Sequence, residues 1–103
     1  MARRLTIMEL KGDPDALLAA KQEHVDPVSR AKAAAHGGVS HAVARTDDGL
    51  LIVNVWESEE GSEAMFADPE VQAGIGRVRE TGSGPPEIRH YELVQYEVPE
   101  AVG

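Results

Sequence analysis

Apolar and polar residues alternate along several short segments of the chain, which is the pattern of β-strands with one buried face. The third of these segments is apolar at nearly every position, so we expect both of its faces to be covered. The predicted strands are RLTIMELK (4–11), VSHAVART (39–46), LLIVNVWE (50–57) and EIRHYELVQYEV (87–98).

Helix-forming residues fill the two longer stretches between these strands. Each stretch contains an Asp-Pro pair, and aspartate followed by proline is a typical start of a helix. We therefore expect each helix to kink or restart there. The first helix is predicted over about 14–35 with its restart at Asp26-Pro27, and the second begins near Ser58 and restarts at Asp68-Pro69.

The segment DDG predicts a hairpin turn between the second and third strands, with Gly49 suited to a positive φ. The length of this turn decides which residues face each other across the two strands. A three-residue turn is expected to place Ser40 opposite Trp56 and His41 opposite Val55. A two-residue turn is expected to place His41 opposite Trp56.

The element order β-α-β-β-α-β predicts an α+β, ferredoxin-like fold, with a four-stranded antiparallel sheet and both helices on one face. A single domain is expected to span residues 1–103. The third strand directs Val53 and Val55 to one face and Asn54 and Trp56 to the other. A second apolar sheet face needs cover, so we expect a homodimer that pairs through it.

The charge of the chain disfavours nucleic-acid and membrane partners, and its composition excludes cysteine-based sites. The chain has ten basic and eighteen acidic residues, a formal net charge of -8, whereas nucleic acid and anionic membranes attract positive surfaces. It has no cysteine, and no HxH, HExxH or paired-carboxylate spacing indicates a metal site. The N-terminal MARRLTIMELKGD lacks the apolar core of a signal peptide, and no apolar run approaches the ~20 residues that span a bilayer. We therefore expect a cytoplasmic protein.

The segment HAVARTDDGLLIVNVWESEEGSEAMFADPEV resembles the dimeric α/β-barrel superfamily, and within it the antibiotic biosynthesis monooxygenase-like group, in the style of an actinobacterial-type member. The DDG turn, the apolar strand ending in VWES and the acidic helix carry the resemblance. It implies a dimeric barrel with a ligand pocket between the sheet and the helices of each subunit. Trp56 matches a pocket tryptophan of the quinone-forming monooxygenases. Where those enzymes have an amide and a tyrosine, this chain has Ile52 and Ser62.

The haem-degrading members of the superfamily are less similar to this chain. They need an asparagine, a tryptophan and an iron-binding histidine at places that hold approximately Thr6, Met65 and Gly74 here, and no histidine lies between residues 42 and 89. We therefore expect no haem degradation, and we expect chemistry without any cofactor.

Histidines are the first candidates for a general base, because their side chains titrate nearest neutral pH. His24 follows Leu17 and Ala20 on the apolar side of the first helix, so it is expected to face the sheet as a base or as a buried, hydrogen-bonded residue. His41 lies in the middle of the second strand and neighbours Trp56 only in the two-residue register. Both are predicted catalytic residues.

The predicted ligand contacts come from the third strand, the second helix and the last strand. Asn54 and Trp56 share a strand face by the two-residue period, and a tryptophan supplies a flat apolar wall with one N–H donor. On the last strand, either His90 or Tyr91 faces the helices. If the large side chains fill the space between sheet and helices, no room is left for a substrate. The predicted ligand-binding residues are Asn54, Trp56, Met65, Phe66 and Tyr91.

Three functions are consistent with the predicted fold and the candidate site residues. The first is a small cofactor-independent monooxygenase acting on a small aromatic or polyketide-like compound. The second is a cyclase or isomerase on the same scaffold, which would turn over without oxygen. The third is a dimer that binds a small ligand without catalysis.

Overall fold

Four strands form one antiparallel sheet in the computed structural model, which describes residues 2–99. They are β1 (Arg3–Lys11), β2 (Gly38–Thr46), β3 (Gly49–Trp56) and β4 (Glu87–Leu93). Their order across the sheet is β2-β3-β1-β4, which confirms the predicted α+β, ferredoxin-like arrangement. The last strand ends at Leu93, five residues before its predicted end at residue 98.

Two pairs of helices connect the strands, because each predicted restart is a break between separate helices. They are α1 (Pro14–His24), α2 (Asp26–Ala33), α3 (Glu59–Ala67) and α4 (Pro69–Thr81). Within residues 2–99, none of the helices has the length and apolar character needed to cross a membrane. Three of the four begin at a side-chain cap: Asp13 accepts from the Ala16 N–H at 2.9 Å, Ser58 from Gly61 at 3.1 Å, and Asp68 from Glu70 at 2.9 Å.

The core lies between the helices and one face of the sheet. Thr6 of β1 pairs with Asn54 of β3, so alternate residues of both strands point to the helices from this position. The buried residues form one cluster of Met8, Leu10, Leu17, Leu50, Ile52 and Val78 and a second of Trp56, Met65 and Val71.

The hairpin between β2 and β3 has a two-residue loop, since Thr46 pairs with Gly49. His41 therefore lies opposite Asn54, and its predicted place opposite Trp56 is wrong. In an antiparallel pair, two residues that lie the same number of positions from the turn, one on each strand, face each other. His41 precedes Thr46 by five residues and Asn54 follows Gly49 by five, so these two residues meet.

Gly49 does not have the positive φ expected from the turn. A glycine is needed there because a side chain would not fit. Positive φ values occur at Gly12, Gly37 and Gly84. A Cβ atom on Gly49 would overlap the carbonyl oxygen of Leu10. The glycine therefore lets β1 and β3 approach each other beside the hairpin.

The other face of the sheet carries no helix within the described part of the chain. Leu5, Ile7 and Val53 point to this side and are partly exposed, and Tyr91 is 49% exposed. Beyond β4, Val94 is also exposed. An apolar patch on the sheet and the exposed Val94 beyond it thus remain open on the single chain.

Candidate active site

A cavity of about 410 Å³ lies between the helix-facing side of the sheet and the four helices. Its walls are mainly aliphatic and aromatic, and its polar groups gather where α1, α2, β2 and β3 meet. The apolar lining consists of Met8, Leu10, Val25, Ala33, Val39, Ile52, Val55, Trp56, Met65, Phe66, Val71, Ile75 and Val78.

Two aromatic rings form part of the apolar wall. Trp56 is 4% exposed and meets Phe66 edge to face, with 6.1 Å between ring centroids and 63° between planes. Met65, one residue earlier on α3, is buried beside them. The Trp56 indole N–H is buried without a hydrogen-bond partner among the described residues. The three side chains line the cavity without filling it.

The polar edge is a chain of four hydrogen-bonded side chains, Asp26, Lys21, His41 and Asn54. The Lys21 ammonium donates to the Asp26 carboxylate and lies 3.0 Å from Nε2 of His41. On the other side of the ring, Nδ1 of His41 bonds Oδ1 of Asn54. All four residues line the cavity.

The local structure explains how these four residues meet. Lys21 follows the buried Leu17 by one helical turn on α1, so its side chain lies on the buried side of that helix. The break before α2 brings Asp26 back toward Lys21. The hairpin register places His41 directly opposite Asn54.

The partners define where the protons lie in this chain. The Lys21 ammonium has only donors, so Nε2 of His41 accepts from it and the ring proton is on Nδ1. Nδ1–H then donates to Oδ1 of Asn54. Both ring nitrogens of His41 are engaged, and Nε2 can accept a substrate proton when the Lys21 N–H moves aside. His41 is exposed on the edge strand β2, so it is within reach of a ligand entering from solvent.

The predicted site residues divide into two groups. Asn54, Trp56, Met65, Phe66 and His41 line the cavity. His24 and Tyr91 do not. Their predicted roles stay predictions from the sequence.

His24 lies at the end of α1 and is not part of the cavity lining. A third of its side chain is exposed, and its ring lies 3.6 Å from the Glu23 carboxylate. Its carbonyl oxygen lies so close to Gly74 of α4 that a Cβ there would overlap it. The part of this residue in the interior is therefore its backbone, at the α1–α4 contact.

Tyr91 points to the open face of the sheet, and its neighbour His90 points to the helices. Nδ1 of His90 is 2.9 Å from Oγ1 of the buried Thr6, and its ring meets Phe66 edge to face at 6.0 Å. Partial burial, with a smaller contribution from the Arg4 charge, lowers the pKa of His90 below its ordinary value of 6.5. His90 thus lies behind the Phe66 wall, outside the cavity lining.

Lys21 and Asp26 are site residues that the sequence pattern does not predict. The apolar spacing on α1 favours Leu17, Ala20 and His24 as its inward side, and Asp26-Pro27 predicts only a helix restart. The spacing of four between Leu17 and Lys21 is the signal that pointed to a buried lysine. Within residues 2–99, no three His, Asp or Glu side chains gather closely enough to hold a metal ion.

No sequence profile of a known family matches the chain, and no curated protein matches it in sequence. Solved structures do match. A candidate antibiotic biosynthesis monooxygenase from Chloroflexus aurantiacus is 24% identical, with 94% of this chain and 98% of that chain covered and a TM-score of 0.68. Rv0793 from Mycobacterium tuberculosis is 19% identical, with 94% and 100% covered and a TM-score of 0.73.

SnoaB, a cofactor-independent oxygenase from Streptomyces nogalater, is 16% identical, with 97% of this chain and 100% of that chain covered and a TM-score of 0.71. At these identities the likeness extends to the fold and not to the reaction. The chain therefore has the fold of the antibiotic biosynthesis monooxygenase-like structures, as its sequence resemblance predicted.

Proposed function

We propose that the protein is a cofactor-independent monooxygenase that acts on a small aromatic or polyketide-like compound. The observation that carries this proposal is the cavity, in which an aromatic and aliphatic wall faces a single polar edge containing His41 and Asn54. Its volume of about 410 Å³ lies within the range of about 300–1,000 Å³ typical of small-molecule sites. The shared fold with a cofactor-independent oxygenase agrees with this activity but does not establish it.

In the proposed reaction, an acidic hydroxyl of the substrate gives its proton to Nε2 of His41. The resulting electron-rich ring carbon forms a bond to dioxygen, which accepts the electron pair and becomes a bound peroxide. The peroxide takes up the proton from His41. Loss of the proton on that carbon, with cleavage of the O–O bond, leaves a carbonyl and releases water. One dioxygen thus converts a phenol into a quinone and water.

Asn54 and Trp56 have supporting roles in this proposal. Asn54 holds His41 in the tautomer whose Nε2 can accept the substrate proton. Trp56 and Phe66 offer apolar ring surfaces against which a planar substrate packs.

Oxygen uptake with a panel of hydroxylated polycyclic aromatics tests the proposal, with quinone absorbance as the second readout. We expect His41→Ala to slow uptake by about a hundredfold or more, since it removes the base. Trp56→Phe is expected to raise KM. His36→Ala, in the turn between α2 and β2, is the matched control, and His24→Ala tests the other predicted base. Uptake unchanged in both His41→Ala and Trp56→Phe would reject the assignment.

A cyclase or isomerase is the second candidate, because the same hydrogen-bonded chain supplies the base that such a reaction needs. A base whose two nitrogens are both engaged can take up and return a proton without oxidising the substrate. Turnover that persists without oxygen would select this alternative. Binding of the panel without turnover under either condition would indicate a non-catalytic ligand-binding protein.

We further propose a homodimer that pairs through the open face of the sheet. Support comes from Leu5, Ile7 and Val53 on that face and from the exposed Val94 beyond β4. Native mass spectrometry is expected to find a mass of twice 11.1 kDa. A monomer at micromolar concentration would contradict the pairing. A cytoplasmic location and an actinobacterial-type origin stay predictions from the sequence.

A further inference from the structure

Lys21 is a buried primary amine that has no chemical step in the proposed oxygenation. Its side chain is 5% exposed and lines the cavity together with the aromatic wall of Trp56 and Phe66. A neutral lysine amine is a nucleophile that forms imines with carbonyl compounds. An imine is hydrolysed by water, so a lysine in a mainly apolar cavity is well placed to retain one.

A second acceptor distinguishes Lys21 from an ordinary ion-paired lysine. Its ammonium donates to the Asp26 carboxylate, and its Nζ also lies 3.0 Å from Nε2 of His41. Imidazole exchanges protons readily near neutral pH, so His41 can take one ammonium proton and leave a neutral amine. Because His41 is exposed on the edge strand β2, this amine lies next to the side of the cavity that a ligand reaches from solvent.

The other two lysines of the chain have carboxylates as their partners and lie outside the cavity lining. Lys11 pairs with Asp48 at 3.0 Å, and Lys32 pairs with Asp68 at 2.7 Å. The hydrogen bonds to these carboxylates raise the pKa of both amines. Both lysines therefore keep their protons near neutral pH and are poor nucleophiles.

The product of an attack by Lys21 is compatible with the buried ion pair. An aldehyde and the Lys21 ammonium give an iminium and one water. The iminium keeps the positive charge and one N–H group, so the Asp26 carboxylate retains both a counter-charge and a donor. Covalent binding thus avoids leaving a buried carboxylate without its partner, which would be strongly destabilising.

We propose that Lys21 is a nucleophile that binds an apolar, aromatic aldehyde covalently as an imine. His41 takes one proton from the ammonium, and the neutral amine forms a C–N bond to the carbonyl carbon, whose π electron pair moves to the oxygen. One amine proton then moves to that oxygen and the imidazolium supplies a second, so the C–O bond breaks and water leaves. Trp56 and Phe66 offer ring surfaces for the aryl group of the aldehyde. This activity goes beyond the proposed oxygenation and consumes no dioxygen.

Reductive trapping tests the proposal on the wild-type protein. A naphthaldehyde is added near neutral pH with sodium cyanoborohydride, which reduces an imine to a stable amine, and peptide mass spectrometry locates the adduct. We expect the first adduct on the peptide that contains Lys21, with an added mass equal to that of the aldehyde less one oxygen atom. The absence of an adduct overturns the proposal. Labelling of Lys11, Lys32 or the terminal amine as fast as Lys21 also overturns it.

Lys21→Arg separates covalent binding from the structural role of the cation. Arginine stays charged beside Asp26 but forms no imine with the aldehyde, so we expect this variant to fold and to lose the fast adduct. His41→Gln is expected to slow trapping about a hundredfold, because it removes the proton acceptor. Lys11→Met is the matched control and should be labelled at Lys21 like the wild type.

The position of the adduct in the wild type decides the question even if Lys21→Arg does not fold. Trapping of His41→Gln at the wild-type rate, or an equally fast adduct in a folded Lys21→Arg protein, overturns the proposal. The assay needs no oxygen, so its failure leaves the oxygen-uptake result unaffected, and failure of the oxygenase leaves the imine site intact.

Discussion

His41 lies directly opposite Asn54 across the β2–β3 pair, and its Nδ1–H donates to the amide oxygen of that residue. This contact orients the imidazole so that Nε2 points to Lys21. The strand register set by the hairpin therefore also orients the candidate base.

The tautomer of His41 is the first prediction. Nitrogen NMR of the histidine side chains should find the His41 proton on Nδ1 in the wild type and a mixture of tautomers in the Lys21→Met, Asn54→Leu double variant, which lacks both the donor to Nε2 and the acceptor at Nδ1. We expect kcat/KM of Asn54→Leu to fall on the order of a hundredfold, because the base is no longer oriented. A wild-type proton on Nε2 would contradict the hydrogen-bonded chain as described.

The Lys21–Asp26 pair is predicted to be strongly coupled. The two side chains are 5% and 12% exposed, so removing one leaves the other as a buried charge with less compensation. We expect Asp26→Ala to lower the free energy of unfolding by about 3 kcal/mol. Urea denaturation of the single variants and of the Lys21→Met, Asp26→Ala double variant measures the coupling. Additive effects of the two changes would show that the contact contributes little.

Two glycines of α4 should respond in opposite directions to the same substitution. A Cβ at Gly74 would overlap the His24 carbonyl oxygen at the α1–α4 contact, whereas a Cβ at Gly76 meets nothing within 4 Å. Gly74→Ala is expected to lower the melting temperature. Gly76→Ala is expected to stabilise the fold by up to about 1 kcal/mol, because alanine is the better helix former. Equal effects of the two substitutions would contradict the packing of α1 on α4.

His90 makes stability depend on pH below its ordinary pKa of 6.5. Its pKa is lowered in the folded protein, so the unfolded chain binds a proton more readily. The neutral His90 side chain contributes fully to the free energy of unfolding above pH 6.5. This contribution is lost as the pH falls from 6.5 toward the lower pKa of the folded state. Urea midpoints between pH 7.5 and 5.5 should fall less in His90→Gln than in the wild type. If the urea midpoint changed equally with pH in both proteins, groups other than His90 would cause the pH dependence.

Much of the fold follows from local features of the sequence. The Asp68-Pro69 pair predicts its helix break because an aspartate cap and a proline at the first turn act within a few residues. At Asp26-Pro27 the proline also lies in the first turn, but Asp26 pairs with Lys21 and does not cap the helix. The two-residue period likewise places Asn54 and Trp56 on one face. These are properties of neighbouring residues, so no tertiary contact is needed to predict them.

The composition of the site was less predictable. The apolar period on α1 does not distinguish Lys21 from His24 as the inward residue, because a lysine is buried only when a carboxylate pairs with it, and the pattern does not show whether Asp26 does so. That carboxylate, Asp26, reaches Lys21 through the break between α1 and α2. His41 meets Lys21 only after the sheet and the helices have packed.

The sequence by itself determined the order of the elements, their breaks, and the face shared by Asn54 and Trp56, since short-range periodicity and capping decide these features. Only the tertiary structure decided that Trp56 and Phe66 leave an open cavity and that Asp26, Lys21, His41 and Asn54 form one polar edge. The physical reason is that the cavity, and the contact of His41 with the Lys21–Asp26 pair, depend on distances between helices and strands that lie far apart in the chain. The local pattern of residues does not specify those distances.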